Sequence, residues 1–421
     1  MDVAIVGAGL AGLTAAHWLR EGGAEVSVFE RRDGPARETS WRNGSLQHPS
    51  HAEPWNSPGV LGLLWRNLGD EDAAMLLRMK ALPGSIGWAY RFVRESSPGR
   101  YFANASSNLR LARYSVAQMA HFRALGLDYD HRVAGTLVVF REREPLARLR
   151  AWAERLAGQG LAFEALEVDA AVAHEPALAA VAGALVGAIR YPGDERGDPR
   201  KFCESLARHL AARGVRQHYG FGVARIERDG TRVRALVGET GERHAFDAVV
   251  LCAASYSAAL ARPLGLALPV RPVKGYSLTL PRVRGAPRVA VTDPALHVGV
   301  VPVGDDRVRV AGTAEFCGFD LAIAPRRVAN LMRLLERLYP DYTSALAPGA
   351  AEPWVGLRPM CADGVSLVGA TKVEGLWLHT GHGQLGWTVC PGSGRVLADL
   401  MLGRAPEIDP APYAPARFAL G

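Results

Sequence analysis

A chain of 421 residues is too long for one ordinary hydrophobic core and suits two domains, interleaved or sequential. Its 48% hydrophobic content fills a sizeable interior, while the net charge of +7, from 49 basic against 42 acidic residues, is scattered rather than gathered into a nucleic-acid-binding face. Five dispersed cysteines without a CxxC pair point to reduced thiols in the cytoplasm, and no 18-residue apolar run is present to span a bilayer.

In chain order, Val3 to Val6 reads as a short buried strand running into Gly7-Ala8-Gly9-Leu10-Ala11-Gly12. A helix "LTAAHWLREGG" follows, then a strand "EVSVFE" ending at Glu30. Gly7 suits the tight turn, Gly9 admits a pyrophosphate against the backbone, and Gly12 lets helix meet strand closely. The helix amino terminus at Leu10 then faces the anion with its dipole. Glu30, with Arg31 beside it, stands where a carboxylate accepts hydrogen bonds from an adenosine ribose. One 30-residue unit thus carries a complete dinucleotide fingerprint.

The next distinctive stretch is "NGSLQHPSHAEPW", Asn43 to Trp55. Its His-x-x-His-x-Glu run lies between prolines and off any helix, which suits metal ligation poorly. A solvent-facing loop and a substrate-contacting loop are the competing readings. An acid and two imidazoles in a pocket would favour a polar or cationic substrate side chain. Residues 60 to 95 read as helices with apolar and aromatic faces, packed in a core or lying at a membrane surface.

Farther on, "GVARIERDGTRVRALVGETGERHAFDAVVLCAASYS" reads as a hairpin and a buried returning strand, with Val223 and Ala253 placed to flank an adenine. "KGYSLTLP" and "LHVGVVPVGDDRVRVAG" alternate like antiparallel strands, and "RRVANLMRLLERLYPD" has helical spacing. Near the carboxyl end, "GLWLHTGHGQLGWTVCPGSGRVLADLMLG" gives strand, Gly-His-Gly turn and helix. That helix amino terminus would stabilise negative charge on a reduced flavin, which selects FAD over NAD.

The segments "ETSWRNGSLQHPSHAEPWNSPGV", "YPGDERGD", "RPVKGYSLTLP", "RVRVAGTAEFCGFD", "WVGLRPMCADGVSLVGAT" and "TGHGQLGWTVCPGSGRVLADL" carry a resemblance across essentially the whole chain. The chain resembles the flavin-bearing subunit of bacterial D-amino acid dehydrogenase, within the D-amino acid oxidase-like and glycine oxidase-like flavoproteins. The resemblance implies an α/β fold. A Rossmann-like FAD-binding domain (1–58, 194–260 and 355–421) is interleaved with a mixed, mainly antiparallel α+β substrate domain (59–193 and 261–354).

It also implies FAD-dependent oxidative deamination of D-amino acids by hydride transfer from the α-carbon, with electrons passed to a quinone or another carrier. The alternative is oxidation of a secondary amine of the D-hydroxyproline, sarcosine or opine type, in a hetero-oligomer. The expected location is the cytoplasm or the inner face of the membrane, with a peripheral membrane contact or a partner subunit. No nucleic acid and no metal are expected.

Residue by residue, Arg358 in "VGLRP" matches the family's carboxylate clamp, a role that suits a planar, bidentate cation. Tyr276 in "VKGYS" is expected to donate to the same carboxylate. Ser40, Asn43 and Gly44 match the element passing the flavin. Gly381, His382, Gly383, Gln384, Leu385 and Gly386 are expected around the isoalloxazine, with Gln384 departing from the small residue usual there. Gly44-Ser45 replaces the family's Ala-Gly, and Arg42 and His48 replace small residues. His51 replaces tyrosine and Glu53 alanine. These departures make His48, and after it His51 and Glu53, candidates for contacting the substrate.

Overall fold

The computed structural model describes residues 1–67, 69–81 and 83–421. Two sheets organise them. The first is six-stranded, in the order Arg216–Tyr219, Glu25–Glu30, Asp2–Val6, Ala248–Leu251, Leu376–Thr380, Leu367–Ala370. Its first five strands run parallel and the sixth is antiparallel.

A parallel sheet is covered on both faces, so its strands are apolar throughout. Val3, Ile5, Val26 and Val28 face the helices Leu10–Glu21, Pro98–Ala124, Pro199–Ala212 and Gly386–Met401. Ala4, Val6, Val249 and Leu251 pack on the other side with Ile226, Val233 and Leu236 of a three-stranded antiparallel layer. At Gly12 a Cβ would overlap the Gly7 carbonyl, so the first helix can approach the first strand only with glycine there.

The second sheet is nine-stranded and mostly antiparallel. It runs Glu352–Cys361, Val270–Pro281, Arg307–Phe316, Val298–Val303, Ala290–Asp293, Thr136–Phe140, Gly187–Tyr191, Glu164–Leu166, with Met75–Leu77 pairing in parallel on Arg307–Phe316. Alternation divides its residues between two faces. Tyr276, Leu278, Leu280, Val298, Val300, Val308 and Val310 pack under Leu331, Leu335 and Leu338 of the helix Pro325–Leu338. The opposite face, with Ser277, Gly299, Val301 and Ala311, lines a cavity.

Three expectations from sequence change. The helix Pro98–Ala124, expected with the substrate domain, buries Leu111, Ala112, Met119 and Phe122 in the core of the parallel sheet, because its apolar stripe meets the first and last long helices. The expected boundary at 355 falls inside the strand Glu352–Cys361, which is paired along its length with Val270–Pro281. Residues 60 to 95 are not helical throughout: helices Val60–Arg66 and Ile86–Arg94 are separated by the strand Met75–Leu77.

Candidate active site

Two cavities, of about 250 and about 270 Å³, meet end to end and share Gly9, Thr39, Ser40, Cys252 and Ala254. The first is walled by the carboxyl ends of the parallel strands. Gly7 turns there at φ +111°, and a Cβ would lie 2.7 Å from the Cys252 carbonyl oxygen. Only glycine makes this turn without displacing the returning strand.

Glu30 lines the same cavity, accepting from the amides of Ala8 and Arg32, both at 2.9 Å. Burial raises its pKa, partly offset by those two amides. Arg31 lies over the Tyr256 ring at 3.8 Å, and Val223 and Ala253 complete the wall. The Ser40 hydroxyl accepts from the Leu10 amide at 3.2 Å, tying the segment after the second strand to the helix start.

The second cavity lies between the first sheet and the open face of the second. Its walls include Asn43, Gly44, His48, Arg358, His382, Gly383, Gln384 and Gly386. Asn43 Oδ1 accepts from the Ser45 amide at 2.9 Å, closing a turn that holds Ser45 at φ +60°. The amino-terminal turn of the helix Gly386–Met401 meets the cavity through Gly386, Trp387 and Cys390.

Arg358 occupies the wall with no hydrogen bond or ion pair among the described residues, and its Nη1 is buried without a partner. Burial lowers its pKa to about 10, which leaves it charged at neutral pH. Its guanidinium lies 5.3 Å from the Trp55 ring and crosses Gly275, where a Cβ would overlap it. A buried cation without a counter-ion is costly. An anion placed in the cavity removes that cost.

Tyr276 borders the cavity, but its hydroxyl donates to Glu315 at 2.9 Å on the helix-covered face of the sheet. The expected contact of this phenol with a substrate carboxylate is therefore corrected: strand alternation turns it away from Arg358. Lys274 is likewise engaged, with Glu315 at 3.2 Å and Asp320 at 3.3 Å. Leu385 is in the core, and its amide donates to the His382 carbonyl at 3.0 Å, so it offers no amide to a ring. Gly381 takes φ +74° and packs on Cys361 rather than lining the cavity. The Gln384 side-chain amide donates to the Glu53 carbonyl at 2.9 Å.

The stretch from His48 to Glu53 divides. His48 faces the cavity, and burial, reinforced by His51, lowers its pKa to about 3, so its imidazole is neutral. His51 stands behind it, ring centroids 5.3 Å apart, and is held near 4 by burial. Glu53 points away from the cavity and accepts from the Trp152 indole; burial raises its pKa to about 7. The expected acid in the pocket is absent from its wall, and with it the reason to expect a cationic substrate.

Sequence reading missed His379, Trp354 and Trp387, which also line the cavity. His379 Nδ1 donates to the Ala11 carbonyl at 3.0 Å while Nε2 accepts from the Ser393 hydroxyl at 2.7 Å, a tautomer fixed by the carbonyl. Trp354 could have been found by stepping back in twos from Arg358 along one strand face.

The joined cavities fit a dinucleotide that carries a further ring system. Glycine cradles lie at the pyrophosphate position, a carboxylate at the ribose position, and a helix amino terminus at the far end. Residues 2–400 match the family described as FAD dependent oxidoreductase. The chain is 41% identical to a D-amino acid dehydrogenase of Methylobacterium nodulans over 99% of both chains, and 42% identical to one of Paramagnetospirillum magneticum over 97% of this chain and 96% of that one. Its fold is shared with glycine oxidase from Geobacillus kaustophilus (TM-score 0.79, 23% identity, 98% and 97% of the two chains) and with L-proline dehydrogenase from P. horikoshii (TM-score 0.79, 16% identity, 99% and 97%). With a family match running almost from end to end over a slot built for the cofactor, this chain belongs to the FAD-dependent oxidoreductases of the DAO family.

Proposed function

We propose that the chain oxidises D-amino acids to imines, which water hydrolyses to 2-oxo acids and ammonia, and that the electrons leave to a quinone or another carrier. The observation that carries this reading is Arg358, a buried guanidinium without a counter-ion on the cavity wall. The full-length relatives named D-amino acid dehydrogenase support the substrate class.

Bound FAD supplies the two-electron acceptor for the α-hydrogen. Arg358 binds the substrate carboxylate through its planar fork, and Gly275 and Trp55 hold that fork in place. Neutral His48 contacts the substrate without adding a second cation beside its amine. Ser40, Asn43 and Gly44 would hold the cofactor from the segment after the second strand, and Gly383 and Gly386 would leave the helix terminus open to it. Orientation supplies most of the rate.

The test is an anaerobic screen of D- and L-amino acids that follows bleaching of the flavin's visible band. D-enantiomers alone should bleach it; reduction by L-enantiomers, or by none, would refute the reading. His48→Ala should change kcat/KM unevenly across the panel. An unchanged profile would remove His48 from the substrate contacts.

A peripheral membrane contact is supported by one stretch of the chain. Leu61, Trp65, Met79, Ile86 and Tyr90 are all more than half exposed within 30 residues, and Trp65 reaches 78%. Large apolar side chains left exposed together mark contact surfaces. No helix among the described residues is long and apolar enough to cross a membrane. The protein should cosediment with anionic liposomes at low salt, and Trp65→Ser should reduce that; a protein that stays in the supernatant would count against the contact.

A further inference from the structure

The wall of the reaction cavity carries two charged side chains among the described residues, Arg358 and Arg42, and no aspartate or glutamate. They stand toward opposite ends of one sheet face. Arg358 is registered with Val273 on the strand Val270–Pro281. The Arg42 carbonyl accepts from the Ser277 hydroxyl at 2.7 Å, and its guanidinium pairs with Glu352, which is registered with Thr279.

At that second end lies a third arginine. Arg309 is registered with Thr279 on one side and with Val301 on the other, two residues from Ala311. Directly opposed residues in an antiparallel sheet share a face. Arg309 and Thr279 therefore stand on the face whose Ser277, Val301 and Ala311 line the cavity. Their neighbours Leu278, Val308 and Val310 pack on the other side.

Arg309 is 1% exposed, and its Nε and Nη1 have no hydrogen-bond partner among the described residues; the Thr279 hydroxyl is also buried and unpartnered. The carboxylates around it are taken: Asp198 by Arg307 at 2.9 Å, and Glu352 by Arg42 at 2.7 Å. Burial and the neighbouring arginines disfavour its charge, lowering its pKa to about 10. The N–H groups on Nε and Nη1, enclosed and unused, belong to a planar fork that is complementary to a carboxylate.

We propose that Arg309, with Thr279 and Arg42, forms a second anion site at the end of the reaction cavity away from Arg358, and that the preferred substrates are D-amino acids whose side chain ends in a carboxylate. This rests on the D-amino acid reading above. The Arg358 guanidinium reaches over Gly275, four residues from Thr279, so the two anion positions are separated along the strand by roughly 13 Å at about 3.3 Å per residue, a span matched by one dicarboxylate and its two arginine contacts. A short substrate held at Arg358 leaves the far arginines empty, whereas a side chain of two or more methylenes carries its terminal carboxylate toward them. The same three cations disfavour D-lysine and D-arginine.

The test uses the FAD-loaded protein. D-Glutamate, D-2-aminoadipate, D-glutamine and D-alanine are compared by anaerobic flavin reduction. Glutarate and butyrate, which lack the amine, are titrated as ligands by perturbation of the flavin spectrum. D-Glutamate should exceed D-glutamine in kcat/KM by about 100-fold, and glutarate should bind at least 10-fold tighter than butyrate. Arg309→Met, which exchanges a buried cation for an apolar chain of similar length, should lower the D-glutamate to D-alanine ratio by about 100-fold; Thr279→Val should lower it by a smaller factor.

Equal use of D-glutamate and D-glutamine by the unaltered protein overturns the proposal, as does a ratio that neither variant moves. If no D-amino acid reduces the flavin, the D-amino acid reading fails. The glutarate and butyrate titrations then still decide the anion site: equal affinities overturn it, and a glutarate preference lost in Thr279→Val upholds it.

Discussion

The two ends of the cofactor slot are built in opposite ways. The dinucleotide end comes from one contiguous unit, Asp2 to Glu30, closed by a returning strand. The reaction end is assembled from the segments around 43–48, 275–277, 299–311, 354–359 and 379–390. Phosphate recognition needs backbone amides and absent side chains, which a short motif can encode. Substrate recognition needs side chains converging from several strands, and only the packed sheets bring them together.

This contrast predicts different failures at the two ends. The largest effect belongs to Gly12→Val. Its side chain overlaps the Gly7 carbonyl, so the first helix must move off the first strand. The variant should purify without FAD or fail to fold, read as the ratio of flavin to protein absorbance. A yellow, fully loaded Gly12→Val would break the comparison.

Arg358→Met should keep its flavin but lose about 10³-fold in kcat/KM, because a charged hydrogen-bonded contact at the substrate disappears. Its melting temperature should be equal or higher, since removing an unpaired buried charge relieves desolvation. A lower melting temperature with unchanged kinetics would make Arg358 a structural residue. Gly275→Ala, which presses on the same guanidinium, should lower kcat/KM in the same direction by about 10-fold.

Glu53→Gln tests the buried layer behind the cavity. The folded pKa of Glu53, about 7, lies above its ordinary value of 4.5. The folded state therefore binds the extra proton, and stability present below pH 4.5 is lost as pH rises through 7. The variant should be more stable than the parent at pH 8, by roughly 1–3 kcal/mol, with the gap closing below pH 5. Thermal melts across pH 4.5 to 8 check the sign. His48 and His51, lowered to about 3 and about 4, act oppositely, losing stability as pH falls below 6.5.

The smallest effect is expected at Ser45, held at φ +60° with its side chain fully buried. Ser45→Gly should be within about 1 kcal/mol of the parent, with any gain reflecting relief of left-handed strain. A large loss would mean that the Ser45 side chain has a role its backbone conformation does not reveal.

Much was legible before the fold was known, for identifiable reasons. Gly7, Gly9, Gly12 and Glu30 announce the nucleotide end because their spacing is local, and the Gly-His-Gly turn with its following helix announces the flavin end for the same reason. Arg358 was legible through its motif. Tyr276 was misjudged because a residue's face depends on strand register, which the bulge between Gly275 and Tyr276 and the pairing with both neighbours settle. Glu53 was misjudged because a loop's side chains can turn either way, and the Trp152 indole lies 99 residues along the chain.

The sequence by itself determined the parallel nucleotide-binding unit, the alternating strands of the second sheet and the chemical types available for catalysis, since these rest on neighbours within about 30 residues. Only the tertiary structure decided which side chains share the reaction cavity. Arg358 and His48 meet there, Tyr276 borders it with its hydroxyl turned to Glu315, Glu53 does not reach it, and Arg309 lies buried on the same sheet face with Nε and Nη1 unpartnered. The physical reason is that burial and charge pairing depend on contacts between residues hundreds of positions apart, and a local pattern does not carry that information.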